Sequence, residues 1–231
     1  DYRSLLAVTR KLFLSDALPL ETKIKRFEQF TSDTRFYREY YFQLNDLASI
    51  LAIRYPEDRR VVELYANHLI ASGELEQALT LYKSRLGDRP PVEDFYRTVI
   101  DIETYLQHPD SVEKYVGKAL ELFPDKVDFH ISKGHVMNSS KQYGQAVKAY
   151  KESLRYADTD SLRGVIWGMI GDTWHQQAAA GISEQDESRT AKEGRSGPYR
   201  KAMKECYKAY ERSLAYRPDN PLVLNNYAYF L

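Results

Sequence analysis

The chain has 231 residues, 43% hydrophobic and 29% charged, with 33 basic residues against 33 acidic ones. That balance favours neither a disordered chain nor a nucleic-acid-binding surface, although a neutral total can still hide charged patches. Cys206 is the single cysteine, so an internal disulfide framework and a cysteine-ligated zinc site are excluded, and no run is long and apolar enough for direct membrane insertion.

In chain order, residues 2–14 followed by Pro19 read as the second helix of a pair whose first half is missing, a half-pair over 1–24. The first residue is Asp1, so a processed or truncated chain is expected, and the compartment, cytoplasmic or periplasmic, stays open. Residues 25–58 read as a degenerate pair, with Tyr37, Tyr40, Leu44, Leu47, Ala48 and Leu51 at helical spacing in its second helix. Punctuation then becomes periodic. Pro56, Pro90 and Pro124 stand 34 residues apart, and the same step reaches Asp158 in a turn-like segment. Proline lacks a backbone donor, so each marks where a second helix must stop.

Between these marks lie pairs at 59–92, 93–126 and 127–160. The first offers Val62, Tyr65, Ala66 and Leu69, then Ala78, Leu81, Tyr82 and Leu86, with Gly73 at the turn, where a left-handed residue is needed. The second offers Tyr96, Val99 and Ile100, then Val112, Val116, Ala119 and Leu120; the third carries Gly134, Met137, Ala146, Tyr150 and Leu154. The fifth pair, 164–220, departs from the period. Trp167, Ile170, Gly171 and Trp174 mark its first helix and Cys206, Tyr210 and Ser213 its second, which leaves a polar insert near 178–200. An exposed excursion is expected there, with both helices extended and Pro198 near the start of the second. Residues 221–231 form a closing half-pair.

A small residue at the eighth and twentieth positions, an aromatic at the twenty-fourth and a proline near the thirty-second recur along the pairs, and the segments GELEQALTLYKSRL, KQYGQAVKAYKESL and PDNPLVLNNYAYFL carry the strongest pattern. These segments resemble the tetratricopeptide repeat family. The resemblance implies an all-α fold, a right-handed α-solenoid or superhelix of antiparallel helix pairs. In it Ala66, Gly134, Gly171, Ala78 and Ala146 let helices approach while Tyr82, Tyr150 and Tyr210 fill the space. It also implies a protein-protein interaction scaffold that binds a peptide or partner protein in its concave groove, with no catalysis and no cofactor.

Carried over by position, the groove would present Arg26, Gln29, Arg60, Glu63, Asn67, Arg97, Asp101, His135, Asp172 and His175. One subfamily clamps the terminal carboxylate of chaperones. Its clamp positions hold Glu63, Asn67, Thr98, Asp128 and Ser132, so only Asn67 matches and acids stand where cations are required. Asp101, His135, Asp172 and His175 are the one cluster with metal-ligating or acid-base residue types, and a polar hydrogen-bonded groove is the expected reading. Gly164, Gly168 and Gly171 precede no Lys-Ser or Lys-Thr, so they form no phosphate loop. Cys206 reads as a buried inert thiol, and Trp167 and Trp174 as packing residues. The apolar terminal helices suit end-to-end self-association. The alternative reading is a regulatory or scaffolding segment of a longer, exported and membrane-anchored bacterial protein whose activity lies elsewhere.

Overall fold

The computed structural model describes residues 1–181 and 197–230, so most of the expected insert lies outside the described residues. All the regular structure described is helical. The chain divides into two compact units, Asp1–Ile102 and Glu103–Leu231.

The first unit contains α1 (Tyr2–Leu14), α2 (Leu20–Thr31), α3 (Thr34–Glu39), α4 (Tyr41–Arg54), α5 (Arg59–Ala71), α6 (Leu75–Arg85) and α7 (Glu93–Tyr105) as far as Ile102. Two boundaries differ from the expected ones. The helix expected from 25 begins at Leu20, because Pro19 supplies a preset φ of −59° at its N-cap. The expected single second helix is two, broken at Tyr40, whose φ of −111° and ψ of 26° leave the helical region. Asp33 starts the extra helix α3: its carboxylate accepts the Arg35 N–H at 2.8 Å and the Phe36 N–H at 3.1 Å. Aromatic rings then hold α3 in place, with Phe36 4.6 Å from Tyr40 and 5.5 Å from Phe30 between ring centres.

Leu6, Phe13, Ile24, Phe27, Leu44, Leu47 and Leu51 make the core of this unit. One charge lies within it. Lys23 is fully buried, and its ammonium donates to the carbonyls of Phe13 and Ser15 at 3.0 and 2.7 Å and to the Tyr55 hydroxyl at 3.0 Å. Those carbonyls end α1, so the cation satisfies acceptors that no helical N–H can reach.

The second unit contains the end of α7, then α8 (Pro109–Leu122), α9 (Val127–Ser139), α10 (Tyr143–Ser153), α11 (Asp160–Ala180), α12 (Gly197–Tyr216) and α13 (Pro221–Phe230). α9 packs on α10, α10 on α11, and α11 on α12. At 21 and 20 residues, α11 and α12 outrun the 13-residue α9, and Pro198 is the second residue of α12. Pairs close tightly where small meets large. A methyl group on Gly134 would stand 2.2 Å from the Tyr150 ring, and one on Gly171 would stand 2.4 Å from that of Tyr210. The turns repeat as well: Gly73, Gln107 and Lys141 have φ of 84°, 60° and 58°, and each is one 34-residue step from the next. Only the first is glycine, so sequence reading found one left-handed turn of three.

Candidate functional site

Residues of α2, α3 and α5 line a cleft of about 690 Å³ within the first unit. α2 contributes Glu21, Ile24, Lys25, Phe27, Glu28 and Thr31, which recur at the three- and four-residue steps of one helical face. α5 contributes a matching stripe, Arg60, Glu63, Leu64, Asn67, His68 and Ala71. α3 adds Thr34, Tyr37 and Arg38.

The charges are largely spoken for at one end. Arg60 pairs with Glu21 and with Asp58, each at 2.8 Å, and Lys25 reaches Glu21 at 3.2 Å. The Arg60 guanidinium holds the Asp58 carboxyl below its usual range. Glu63 pairs with Arg59 at 2.8 Å on its own helix. These pairs are about half exposed, so they orient side chains more than they stabilise the fold. At the other end, Arg38 and Glu28 line the cleft with no ion-pair partner among the described residues.

His68 is 3% exposed and closes the cleft from below. The Tyr37 hydroxyl stands 2.8 Å from its Nδ1 and Asn45 Oδ1 stands 3.1 Å from its Nε2, which suits a neutral ring protonated on Nε2. Burial lowers its pKa and keeps it so. The rings of Tyr41 and Tyr37 stand 5.7 Å from it, one stacked and one edge-on.

Of the ten residues expected in a groove, the structure brings Arg60, Glu63 and Asn67 together in this cleft; Asn67 Oδ1 also accepts from the Tyr82 hydroxyl at 3.3 Å. Arg26 and Gln29 do not line it. Each stands one residue, about 100° around the helix, past Lys25 or Glu28, which do line it, and Arg26 lies over the Phe30 ring at 5.9 Å. On α7, Arg97 is held by Glu93 at 2.5 Å and Asp94 at 2.6 Å, and Asp101 is exposed. Residues that sequence reading missed are Glu21, Ile24, Lys25, Glu28, Tyr37, Arg38 and His68. The signals were Pro19 before a new helical period and Asp33 as a helix start.

His135, Asp172 and His175 belong to the second unit. The Tyr150 hydroxyl donates to His135 Nδ1 at 2.9 Å. Asp172 accepts from the Tyr210 hydroxyl at 2.6 Å and from Asn226 Nδ2 at 3.0 Å. Burial lowers the pKa of both histidines, against the opposing Asp172 charge at His175. Asp172 Oδ1 thus takes one hydrogen bond from α12 and one from α13, and no group of three His, Cys, Asp or Glu side chains is placed to hold a metal among the described residues. Cys206 is fully buried, and burial pushes its thiol up to about 11. No described helix is long and apolar enough to cross a membrane.

No protein-family model and no curated protein matches the sequence. Solved structures do. The crystal structure of MamA protein is similar at a TM-score of 0.60 and 10% identity, over 86% of this chain and 94% of that one. YrrB, described as a TPR protein with an unusual peptide-binding site, is similar at 0.59 and 11%, over 89% and 97%. TTC0263, a thermophilic TPR protein in Thermus thermophilus, is similar at 0.52 and 14%, over 90% and 96%. At such identities the likeness speaks for the fold alone.

Proposed function

The chain has the tetratricopeptide-repeat fold, an all-α solenoid architecture of helix pairs, and from it we propose a protein-interaction scaffold that binds a peptide or a partner's peptide-like segment in the cleft of the first unit. The observation that carries this reading is the cleft itself, about 690 Å³ between two amphipathic helix faces, with apolar Ile24, Phe27 and Leu64 beside charged and amide groups. That mixture suits a peptide, whose backbone needs polar partners and whose side chains need apolar ones. YrrB, of similar fold, is described as having a peptide-binding site, which supports the same class of ligand. No catalytic step is assigned to the cleft.

The test is capture of partners by the whole chain, compared with a variant carrying Arg60→Glu, Glu63→Lys and Asn67→Trp. All three sites are at the cleft surface, so the variant is expected to fold and to lose the captured partner. A partner retained in full by the folded variant would count against the cleft.

A further inference from the structure

The cleft is bounded at both ends. At one, the Arg60–Glu21 ion pair ties α5 to α2; at the other stands α3, a helix the repeat pattern did not foretell. Between Glu21 and Thr31 α2 runs about 15 Å, which an extended chain covers with about four or five residues. The two ends differ in charge economy. The cations Arg60 and Lys25 are already paired with Glu21, whereas Arg38 lines the cleft with no acidic partner among the described residues. Glu28 lines the same cleft, likewise without an ion-pair partner among the described residues.

Resting on the peptide-binding reading of this cleft, we propose that it takes a short segment carrying one carboxylate, which pairs with Arg38, while the segment lies over a floor formed by the buried side chains of Ile24, Phe27 and Leu64. A guanidinium offers forked donors that match a carboxylate. Glu28 repels a second acid, so a polyacidic run is selected against. Recognition thus depends on α3, which places Arg38.

The test is fluorescence anisotropy of the whole chain with a library of labelled synthetic octapeptides. Peptides carry one Asp or Glu, its Asn or Gln counterpart, or a run of acids, each made with a C-terminal acid and a C-terminal amide. The best binders are expected to hold one carboxylate and to weaken about tenfold when it becomes an amide. The C-terminal amide arm tells a side-chain carboxylate from a terminal one. Arg38→Gln, at an exposed site, is expected to weaken the acidic peptides by the same factor and the amide peptides by less. Peptides blocked by Asn67→Trp but indifferent to Arg38→Gln overturn the role of Arg38 and leave the cleft standing. Peptides indifferent to both, or no binder at up to about 1 mM, overturn the cleft reading and this inference together.

Discussion

At Gly134 a methyl group would stand 2.2 Å from Tyr150 Cε1, and Tyr150 is only 2% exposed, so neither side can yield without disturbing the α9–α10 contact. Gly134→Ala is therefore expected to destabilise the chain by about 1–3 kcal/mol, which exceeds alanine's helical advantage. Gly117 makes the contrast. A methyl there meets nothing within 4 Å on an exposed face of α8, so Gly117→Ala is expected to stabilise by about 0.5–1 kcal/mol. Urea midpoints of the two variants, moving in opposite directions, check both. The small-against-aromatic pairing was legible in sequence because the two residues sit at fixed positions of a repeat. The close approach itself was not, since a distance of that kind depends on how two helices are set against each other.

At the scale of elements, the junction of α1 and α2 turns on Lys23. Its ammonium joins the carbonyls of Phe13 and Ser15 to the Tyr55 hydroxyl, and the same hydrogen bond lowers the Tyr55 pKa. Lys23→Met would keep much of the volume but leave buried acceptors without a donor, at an expected cost of about 2–3 kcal/mol, read from urea unfolding. An unchanged midpoint would show that the carbonyls find other donors. No composition rule points to this lysine, because a charged residue in an amphipathic helix reads as exposed until the neighbouring helix ends upon it. α3 is a second element that periodicity hid. The spacing Tyr37, Tyr40, Leu44 runs smoothly through Tyr40, while the backbone breaks there under an aromatic cluster assembled from α2 and α3.

Across the whole molecule, His68 in the first unit and His135 and His175 in the second share one electrostatic tendency. Burial lowers each from the ordinary imidazole value of 6.5, with Asp172 opposing at His175. In the folded chain they stay neutral where the unfolded chain takes up protons, so protonation favours unfolding. This contribution is full above about pH 6.5 and is lost as pH falls below it, down to the lowered folded values. Asp58 and Glu57, held low by Arg60 and Arg85, add their own loss only further into acid. Urea midpoints are expected to be lower at pH 5.5 than at pH 7.5, with His68→Gln reducing the difference; equal midpoints at both values would remove the histidines from the account. Length, composition and the 34-residue step determined by themselves that the chain is all-helical and paired, because periodic apolar faces and proline stops are local properties. Arg60, Glu63 and Asn67, expected in a groove only through the family resemblance, line the cleft together because they share one regular helix, α5. Only the tertiary structure decided that the cleft is closed by α3, that Arg26 and Gln29 fall outside it, and that Arg38 and His68 fall within. Residues on one helical face are fixed by the 3.6-residue period, but which face turns inward is set by the packing of neighbouring helices, so repeat positions counted from 25 instead of 20 name the wrong face.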